Sequence, residues 1–319
     1  MRSSSSAGTL FCLASGAAFG AMAIFAKLAY GQGATVATAL SMRFVLAAAL
    51  FWLLVFAGGH ARELRALNGR QLRAGLALGA CGYAIQSGCY FAALKHIDAS
   101  LLSLLLYTFP AIVTGAAVLL GRERMDGRRL AALALASSGL VLVLAGAGAG
   151  ALEPLGVGLG LGAAVVYSTY ILVSDRVVGG ISPTVLSALV CSGAAVLLSI
   201  GSSLIGQLRP GDVTLAGWGW LACIAAVSTV VAIGLFFAGL RRAGPSTASI
   251  LATVEPLVTV LLAFLVFGER LGPVQILGGA LVLSAVVVLA RRRASRRDSL
   301  RTPVEAAACA SSRARVSTT

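Results

Sequence analysis

Long apolar runs alternate with short polar or charged segments along almost the whole chain. Each run has about 17 to 25 residues, enough for an α-helix to cross a hydrocarbon core of about 30 Å. The runs predict ten membrane spans, numbered one to ten in chain order, at 9–29, 34–57, 74–94, 99–120, 130–148, 155–174, 183–206, 215–239, 245–267 and 271–290. We therefore expect an all-α integral membrane protein.

Composition and charge support a membrane location. Hydrophobic residues make up 58% of the 319 residues and charged residues 11%, whereas soluble domains are about a quarter charged. The net charge of +14 is spread over short loops and a tail, so nucleic acid is not an expected partner. If the N-terminus is cytoplasmic, the outer loops contain only Lys95, Arg209 and Arg270 as basic residues. This distribution predicts an inner-membrane protein with both termini in the cytoplasm.

The remaining composition suggests little other chemistry. Residues 291–319 are basic and lack an apolar pattern, so we expect a disordered cytoplasmic tail that can lie on anionic lipid. The six cysteines form no C-x-x-C pair, and five lie in apolar runs, where cysteine acts as a small apolar residue. We therefore expect no metal, no cofactor and no disulfide.

An internal repeat relates the two parts of the chain. A shift of 146 residues aligns 90–127 with 236–273 without a gap, and the identical pairs include Ser100/Ser246, Pro110/Pro256, Glu123/Glu269 and Arg124/Arg270. The repeat divides the spans into two halves, 1–148 and 153–290, with five spans each. Because five is odd, the second half enters the membrane from the opposite side. Inverted repeats of this kind are typical of secondary transporters, whose binding site lies near the bilayer midplane between the halves.

These features resemble the EamA family of the drug/metabolite transporter superfamily. The resemblance extends over residues 9–290 and rests on the two five-span halves, on MRFVLAAAL in the second span, and on GRERM and FGERL at the ends of the fourth and ninth spans. It implies ten helices with cytoplasmic termini and a central cavity built by spans one to four and six to nine. It also implies export of amino acids, other metabolites or drugs.

Polar residues form stripes within several spans. In the third span Tyr83, Gln86, Ser87 and Tyr90 follow i, i+3, i+4, i+7 spacing, so they share one helical face. We expect this face to line a substrate cavity, together with Ser103 and Tyr107 in the fourth span, Tyr167 and Tyr170 in the sixth, and Ser249 and Thr253 in the ninth. The alternative for each stripe is hydrogen bonding between helices without a ligand. For Ser228 and Thr229 in the eighth span we favour packing alone, in which small hydroxyl groups let helices approach closely.

Two charged residues, Arg43 and Glu255, lie near the middle of their predicted spans. At about 1.5 Å per residue, each is about 13 to 15 Å from the end of its span, and charges at such depth are rare and functional. They can form an ion pair, directly or through water. Alternatively, Glu255 carries protons for antiport, or it is a structural residue beside Pro256. If Thr253 lines the cavity, the helical wheel turns Glu255 towards a neighbouring helix.

Prolines occupy equivalent places in the fourth and ninth spans. Pro110 and Pro256 have no N–H, so the carbonyls of Leu106 and Ala252 lose their helical partners and we predict helix kinks. Hinge motion and simple tolerance of proline are both open.

Charged residues also occur at the ends of spans. Lys27 lies near the outer end of the first span and is expected to extend to the interface. Glu269 and Arg270 are expected to form an interfacial ion pair at a membrane exit.

The function expected from these patterns is secondary active transport. We predict export of a small metabolite, such as an amino acid or a related amphipathic solute, by alternating access across the lipid bilayer. Coupling to protons or ions and a homodimer are left open. An intramembrane enzyme is disfavoured because His60 and His96 lie in loops and the sequence has neither H-E-x-x-H nor a phosphate-binding loop. A channel or a structural membrane component is the other alternative, although the sequence shows no charged ring or filter.

Overall fold

The structure, a computed structural model, describes residues 2–120, 125–146, 153–177, 181–243 and 251–298. Within these ranges it contains helices and no β-strand. The α-helices are α1 (Arg2–Gly20), α2 (Met22–Tyr30), α3 (Val36–Ala57), α4 (Ala61–Ala66), α5 (Gly69–Ala77), α6 (Ala84–Ala93), α7 (Ala99–Leu106), α8 (Phe109–Leu119), α9 (Gly127–Gly146), α10 (Pro154–Val177), α11 (Pro183–Leu204), α12 (Leu215–Ala225), α13 (Ala232–Ala243), α14 (Val254–Phe267) and α15 (Pro273–Asp298). Two π-helical turns, π1 (Leu78–Tyr83) and π2 (Ala226–Val231), join α5 to α6 and α12 to α13.

Seven helical segments of the described chain are long and apolar enough to cross a membrane. They are Ala7–Tyr30, Val36–Ala57, Ala99–Leu119, Arg129–Gly146, Pro154–Val173, Pro183–Leu204 and Leu215–Leu240. Two more predicted spans fall on the shorter apolar helices Val254–Phe267 and Pro273–Val288. The third predicted span falls on α5, π1 and α6, where Tyr83, Gln86 and Ser87 lower the hydropathy. A multi-pass helical membrane protein is therefore confirmed, while the count of ten stays a prediction.

The main helix contacts join the first half of the chain to the second. The most extensive pairs are α9 with α15, α3 with α11, α1 with α13, and α6 with α10. This interface is filled by small, aliphatic and aromatic side chains. Among the most deeply buried are Phe44, Phe91, Leu102, Leu105, Leu189 and Leu221. The core of the molecule is thus the surface between its two halves.

The fourth and ninth predicted spans are both interrupted. α7 ends at Leu106 and α8 begins at Phe109, while residues 252–253 form a turn before α14 begins at Val254. Pro110 lies at the start of α8 and Pro256 in the first turn of α14, where a helix does not need the missing N–H. Each proline therefore starts a new helical segment, and hinge motion at these points stays a prediction.

The last helix differs from the predicted tail. α15 continues through residues 291–298, part of the segment expected to be disordered. This stretch is rich in arginine and contains an alanine, which are good helix formers, so the transmembrane helix can extend past the apolar run. Residues 299–319 lie outside the described ranges.

Candidate functional site

A small cavity lies inside the bundle, between the two halves. Its volume is about 70 Å³, which is space for several water molecules but well below the roughly 300 Å³ of a typical ligand cleft. The lining residues are Phe19, Met22, Arg43, Tyr83, Gln86, Ser87, Tyr90, Leu106, Tyr107, Phe109, Tyr167 and Glu255. Most come from the first half, and Tyr167 and Glu255 come from the second. A metabolite would need a wider cavity than this conformation offers.

Most of the residues expected at the cavity are brought together there. They are Tyr83, Gln86, Ser87, Tyr90, Tyr107 and Tyr167, with Arg43 and Glu255 beside them. The turn π1 ends at Tyr83 and α6 continues from it, so the predicted stripe stays on one side of the third span.

The other expected cavity residues lie elsewhere. The Ser103 hydroxyl donates to the Ser100 carbonyl at 3.2 Å. Tyr170 stands behind the lining, with its ring centroid 5.9 Å from that of Tyr83. Thr253 lies in the turn before α14 and does not line the cavity. Ser249 falls outside the described residues.

The apolar lining residues Phe19, Met22, Leu106 and Phe109 were missed because they do not stand out in an apolar span. The repeat offered one signal, since a shift of 146 places Phe109 on Glu255. Phe109 packs on the edge of Tyr167, with ring centroids 4.8 Å apart, and Tyr107 packs against Phe109 at 5.9 Å. Together with Tyr83, these rings form the aromatic wall (Tyr83, Tyr107, Phe109 and Tyr167).

Arg43 is held in place by neutral groups, and the residue is only 1% exposed. Its guanidinium donates to Thr229 Oγ1 at 3.2 Å, to Ser87 Oγ at 3.5 Å and to Tyr83 Oη at 3.2 Å. The rings of Phe44, Phe91 and Tyr83 lie 4.8, 5.3 and 5.7 Å from Cζ, within the range of cation–π attraction. Hydrogen bonds and aromatic faces thus compensate part of the cost of burying this charge.

Thr229 shows why the interpretation of the eighth span as packing was incomplete. The turn π2 carries Thr229, whose hydroxyl donates to the Ile224 carbonyl at 2.9 Å and accepts from Arg43. The π-helical turn therefore gives this threonine a role in holding the cation. Neighbouring Ser228 is also fully buried, in agreement with packing.

Glu255 lies in the first turn of α14 and lines the cavity. Its Oε2 atom is 3.0 Å from the Tyr107 hydroxyl, and the same hydroxyl is 2.6 Å from the carbonyl oxygen of Ala252. In the part of the chain that the structure describes, no basic nitrogen lies within 4.0 Å of the Glu255 carboxyl group. Arg43 and Glu255 therefore share a cavity without a direct ion pair.

Glu255 and Thr253 lie on different sides of the ninth span, as the helical wheel predicts. Glu255 lines the cavity and Thr253 does not. The condition under which Glu255 would face a neighbouring helix, that Thr253 lines the cavity, is therefore not met.

The first helix packs directly on the start of α14. A Cβ atom added to Gly20 would lie 2.7 Å from the Glu255 carbonyl oxygen, so this approach needs glycine. The Thr259 hydroxyl donates to the Gly20 carbonyl at 3.0 Å. Gly20 thus lets α1 pack directly against the segment that carries Glu255.

A second polar group, the Lys27 cluster (Lys27, Asp98, Ser100 and Glu269), ties three helices together outside the cavity. Lys27 Nζ is 2.8 Å from Glu269 Oε1 and 3.9 Å from Asp98. Glu269 also accepts hydrogen bonds from the Ala99 and Ser100 amides and from the Ser100 hydroxyl, at 3.2, 3.1 and 2.9 Å. Glu269 therefore caps α7 and pairs with Lys27, and the ion pair expected with Arg270 is not the one formed.

The Lys27 cluster also sets the charge state of its carboxyl groups. Burial tends to raise the pKa of Glu269, but the hydrogen bonds from Lys27 and Ser100 outweigh it, so the pKa lies below its ordinary value. The pKa of Asp98 is raised by burial and by the charge of Glu269, against the opposing effect of Lys27. Glu269 is thus the acidic partner that the fold keeps ionised.

Comparison with known proteins agrees with the two-part organisation. The sequence pattern of the EamA-like transporter family matches twice, at residues 6–145 and 154–291. YcbK, an uncharacterized transporter of Bacillus subtilis (strain 168), is 29% identical over 285 residues, 85% of this chain and 89% of that protein. An uncharacterized transporter of Archaeoglobus fulgidus is 28% identical over 199 residues, 62% of this chain and 70% of that protein. A crystal structure with 21% identity has a similar fold, with a TM-score of 0.60 over 90% of this chain and 98% of that one.

Proposed function

The chain belongs to the EamA-like transporter family, and we propose that it is a secondary active transporter that exports a small metabolite by alternating access. The observation that supports this most directly is the small cavity, which lies between the two copies of the family pattern and takes lining residues from both. A site at the interface of inverted repeats can be exposed to either side when one half moves against the other. In this proposal the halves are 1–148 and 153–290, with five membrane helices each and both termini in the cytoplasm of an inner-membrane protein.

The chemistry of the lining favours an amphipathic solute, such as an amino acid or a related metabolite. Arg43 offers a fixed cation, Glu255 a carboxyl group and the aromatic wall a surface for apolar atoms. A few placed polar groups in a mainly apolar lining are typical of sites that orient a small molecule.

The test is an export screen followed by transport in reconstituted vesicles. Cells with and without the protein are compared for resistance to, and export of, amino acids and toxic metabolites, and each hit is then measured as flux into vesicles that contain purified protein. We expect saturable flux that is accelerated by the same solute on the opposite side. Flux that never saturates and shows no counterflow would identify a channel and overturn the proposal. Tyr167→Ala in the aromatic wall should weaken the apparent affinity, and the same change at Tyr30, outside the cavity, serves as its control.

A further inference from the structure

The hydroxyl group of Tyr107 lies between two acceptors. The Ala252 carbonyl oxygen is 2.6 Å away and Glu255 Oε2 is 3.0 Å away. A phenol has one proton to donate, but its oxygen can also accept a hydrogen bond. If Glu255 carries a proton and donates it to the Tyr107 oxygen, the Tyr107 hydroxyl can donate to Ala252, and both contacts are hydrogen bonds at the same time.

The two distances agree with this assignment. A hydroxyl donating to an ionised carboxylate gives a short bond of about 2.5 to 2.7 Å. Here the short contact of 2.6 Å goes to the neutral carbonyl, and the contact to the carboxyl group is the longer one, at 3.0 Å. An ionised Glu255 is expected to attract the Tyr107 proton and to form the shorter of the two contacts.

The surroundings of Glu255 also suit a protonated acid. The titratable or charged groups that share the cavity with it come from five neighbouring elements: Tyr107 from the end of α7, Arg43 from α3, Tyr83 from π1, Tyr90 from α6 and Tyr167 from α10. The packed helices α1 and α2 contribute Phe19 and Met22, which do not titrate. Arg43 is engaged with Thr229, Ser87 and Tyr83 rather than with the carboxyl group.

We propose that Glu255 is the proton-binding site of this transporter and that Tyr107 links the loss of the proton to the interruption of the ninth span. The proposal rests on the proposed function, because it names the coupling ion for that transport cycle. In the step, the O–H bond of the Glu255 carboxyl group breaks, its electrons stay on the carboxylate, and the proton passes to water that enters the cavity. The Tyr107 hydroxyl then turns from the Ala252 carbonyl to Glu255 Oε2.

This exchange acts on the interruption of the ninth span at residues 252–253. Pro256 cannot donate to the Ala252 carbonyl, which instead accepts from the Glu255 amide at 3.1 Å and from Tyr107. When Tyr107 turns away, the turn at residues 252–253 loses a donor, and α14 is less firmly held in its present direction. Proton release and reorientation of α14 are therefore coupled through one hydroxyl group.

Infrared spectroscopy of the full-length protein in lipid vesicles tests the proton site. A protonated carboxyl group has its own C=O stretching band. We expect such a band at neutral pH, lost in Glu255→Gln and shifted in Tyr107→Phe, which removes the hydrogen bond. Glu269→Gln is the matched control and should keep the band, since Glu269 is ionised beside Lys27. If Glu255→Gln fails to fold, Glu255→Asp should move the band instead.

The outcomes separate this inference from the proposed function. A band that persists unmoved in the Glu255 variants, or no band at neutral pH, would overturn the proton site. The measurement needs no substrate, so a protein that shows the Glu255 band but transports no solute would refute only the proposed function. Saturable counterflow without a Glu255 band would refute only the proton site.

Discussion

The fourth and ninth spans are copies of one segment, yet they supply the cavity with different chemistry. Both are interrupted just before a shared proline, Pro110 in one and Pro256 in the other. A shift of 146 residues places Phe109 on Glu255, and both of these residues line the cavity. The repeat thus conserves the backbone interruption, while a single side chain at the same place makes one copy aromatic and the other acidic.

The two copies are also joined to each other at this point. Tyr107, from the interruption of the fourth span, contacts Ala252 and Glu255 at the interruption of the ninth. Because the aligned residue in the ninth span is Thr253, the contact has no symmetric counterpart of the same chemistry. We infer that the fourth span supplies aromatic lining and the hydroxyl of Tyr107, which contacts the ninth span. The ninth span supplies Glu255, the group that changes charge.

The largest effect is expected from Glu255→Gln, which removes the carboxyl group that distinguishes the ninth span from the fourth. We expect transport of an identified solute to fall on the order of a hundredfold, the loss typical when a positioned proton-transferring group is removed. The residual flux should no longer respond to a pH gradient across vesicles. Phe109→Leu, the aligned position of the fourth span, is the control and should retain the gradient response. Unchanged gradient dependence in Glu255→Gln would refute the difference between the copies.

Gly20→Ala tests the contact that holds α14 in place. The added Cβ would lie 2.7 Å from the Glu255 carbonyl oxygen, a backbone atom that cannot move aside easily. We expect a loss of about 1 to 3 kcal/mol in unfolding free energy, as for other overpacked sites, together with slower transport. Gly88→Ala is the matched control, since a Cβ there meets no atom within 4 Å. Equal unfolding curves for the two variants would contradict the close approach of α1.

Much of this asymmetry was hidden in the sequence, and the reason is physical. The spans, the repeat and the polar stripe of the third span follow from periodicity and hydropathy, and the structure brings Tyr83, Gln86, Ser87 and Tyr90 together. The helical wheel places Thr253 and Glu255 on different sides of the ninth span, but periodicity alone does not tell which side meets the cavity, because that depends on how helices distant in the chain pack together. The partners of Lys27 were equally hidden, since they come from helices far apart in the chain.

Tyr107→Phe removes the hydroxyl that contacts Ala252 and Glu255. It keeps the aromatic ring that packs against Phe109. We expect about 1 kcal/mol of lost stability, the usual net value of one hydrogen bond, and roughly fivefold slower transport at 1.4 kcal/mol per factor of ten. Tyr170→Phe is the same chemical change behind the cavity lining and should have a smaller effect on both quantities. Thermal unfolding and initial transport rates measure them. If Tyr107→Phe transports no more slowly than Tyr170→Phe, the contact of the Tyr107 hydroxyl with Ala252 and Glu255 has no role in transport.

The smallest expected effect concerns the far end of the ninth span, where Glu269 meets the fourth span through Ser100. The folded-state pKa of Glu269 lies below its ordinary value, so its contribution to stability is present above about pH 4.3, the unfolded value, and is lost as the pH falls through the folded pKa. Asp98 has a raised pKa and works in the opposite direction.

We therefore expect the unfolding temperature of the unmodified protein to fall as the pH is lowered below about 4, and the decrease to be smaller in Glu269→Gln. Lys27→Met should also flatten this dependence, because it removes the ion pair at 2.8 Å. Arg270→Gln, which changes a neighbouring charge that does not pair with Glu269, should leave the dependence as it is. If Arg270→Gln flattened the curve as much as Lys27→Met, the ninth span would be held at this end by the sequence-adjacent ion pair, and its link to the fourth span through Glu269 would be refuted.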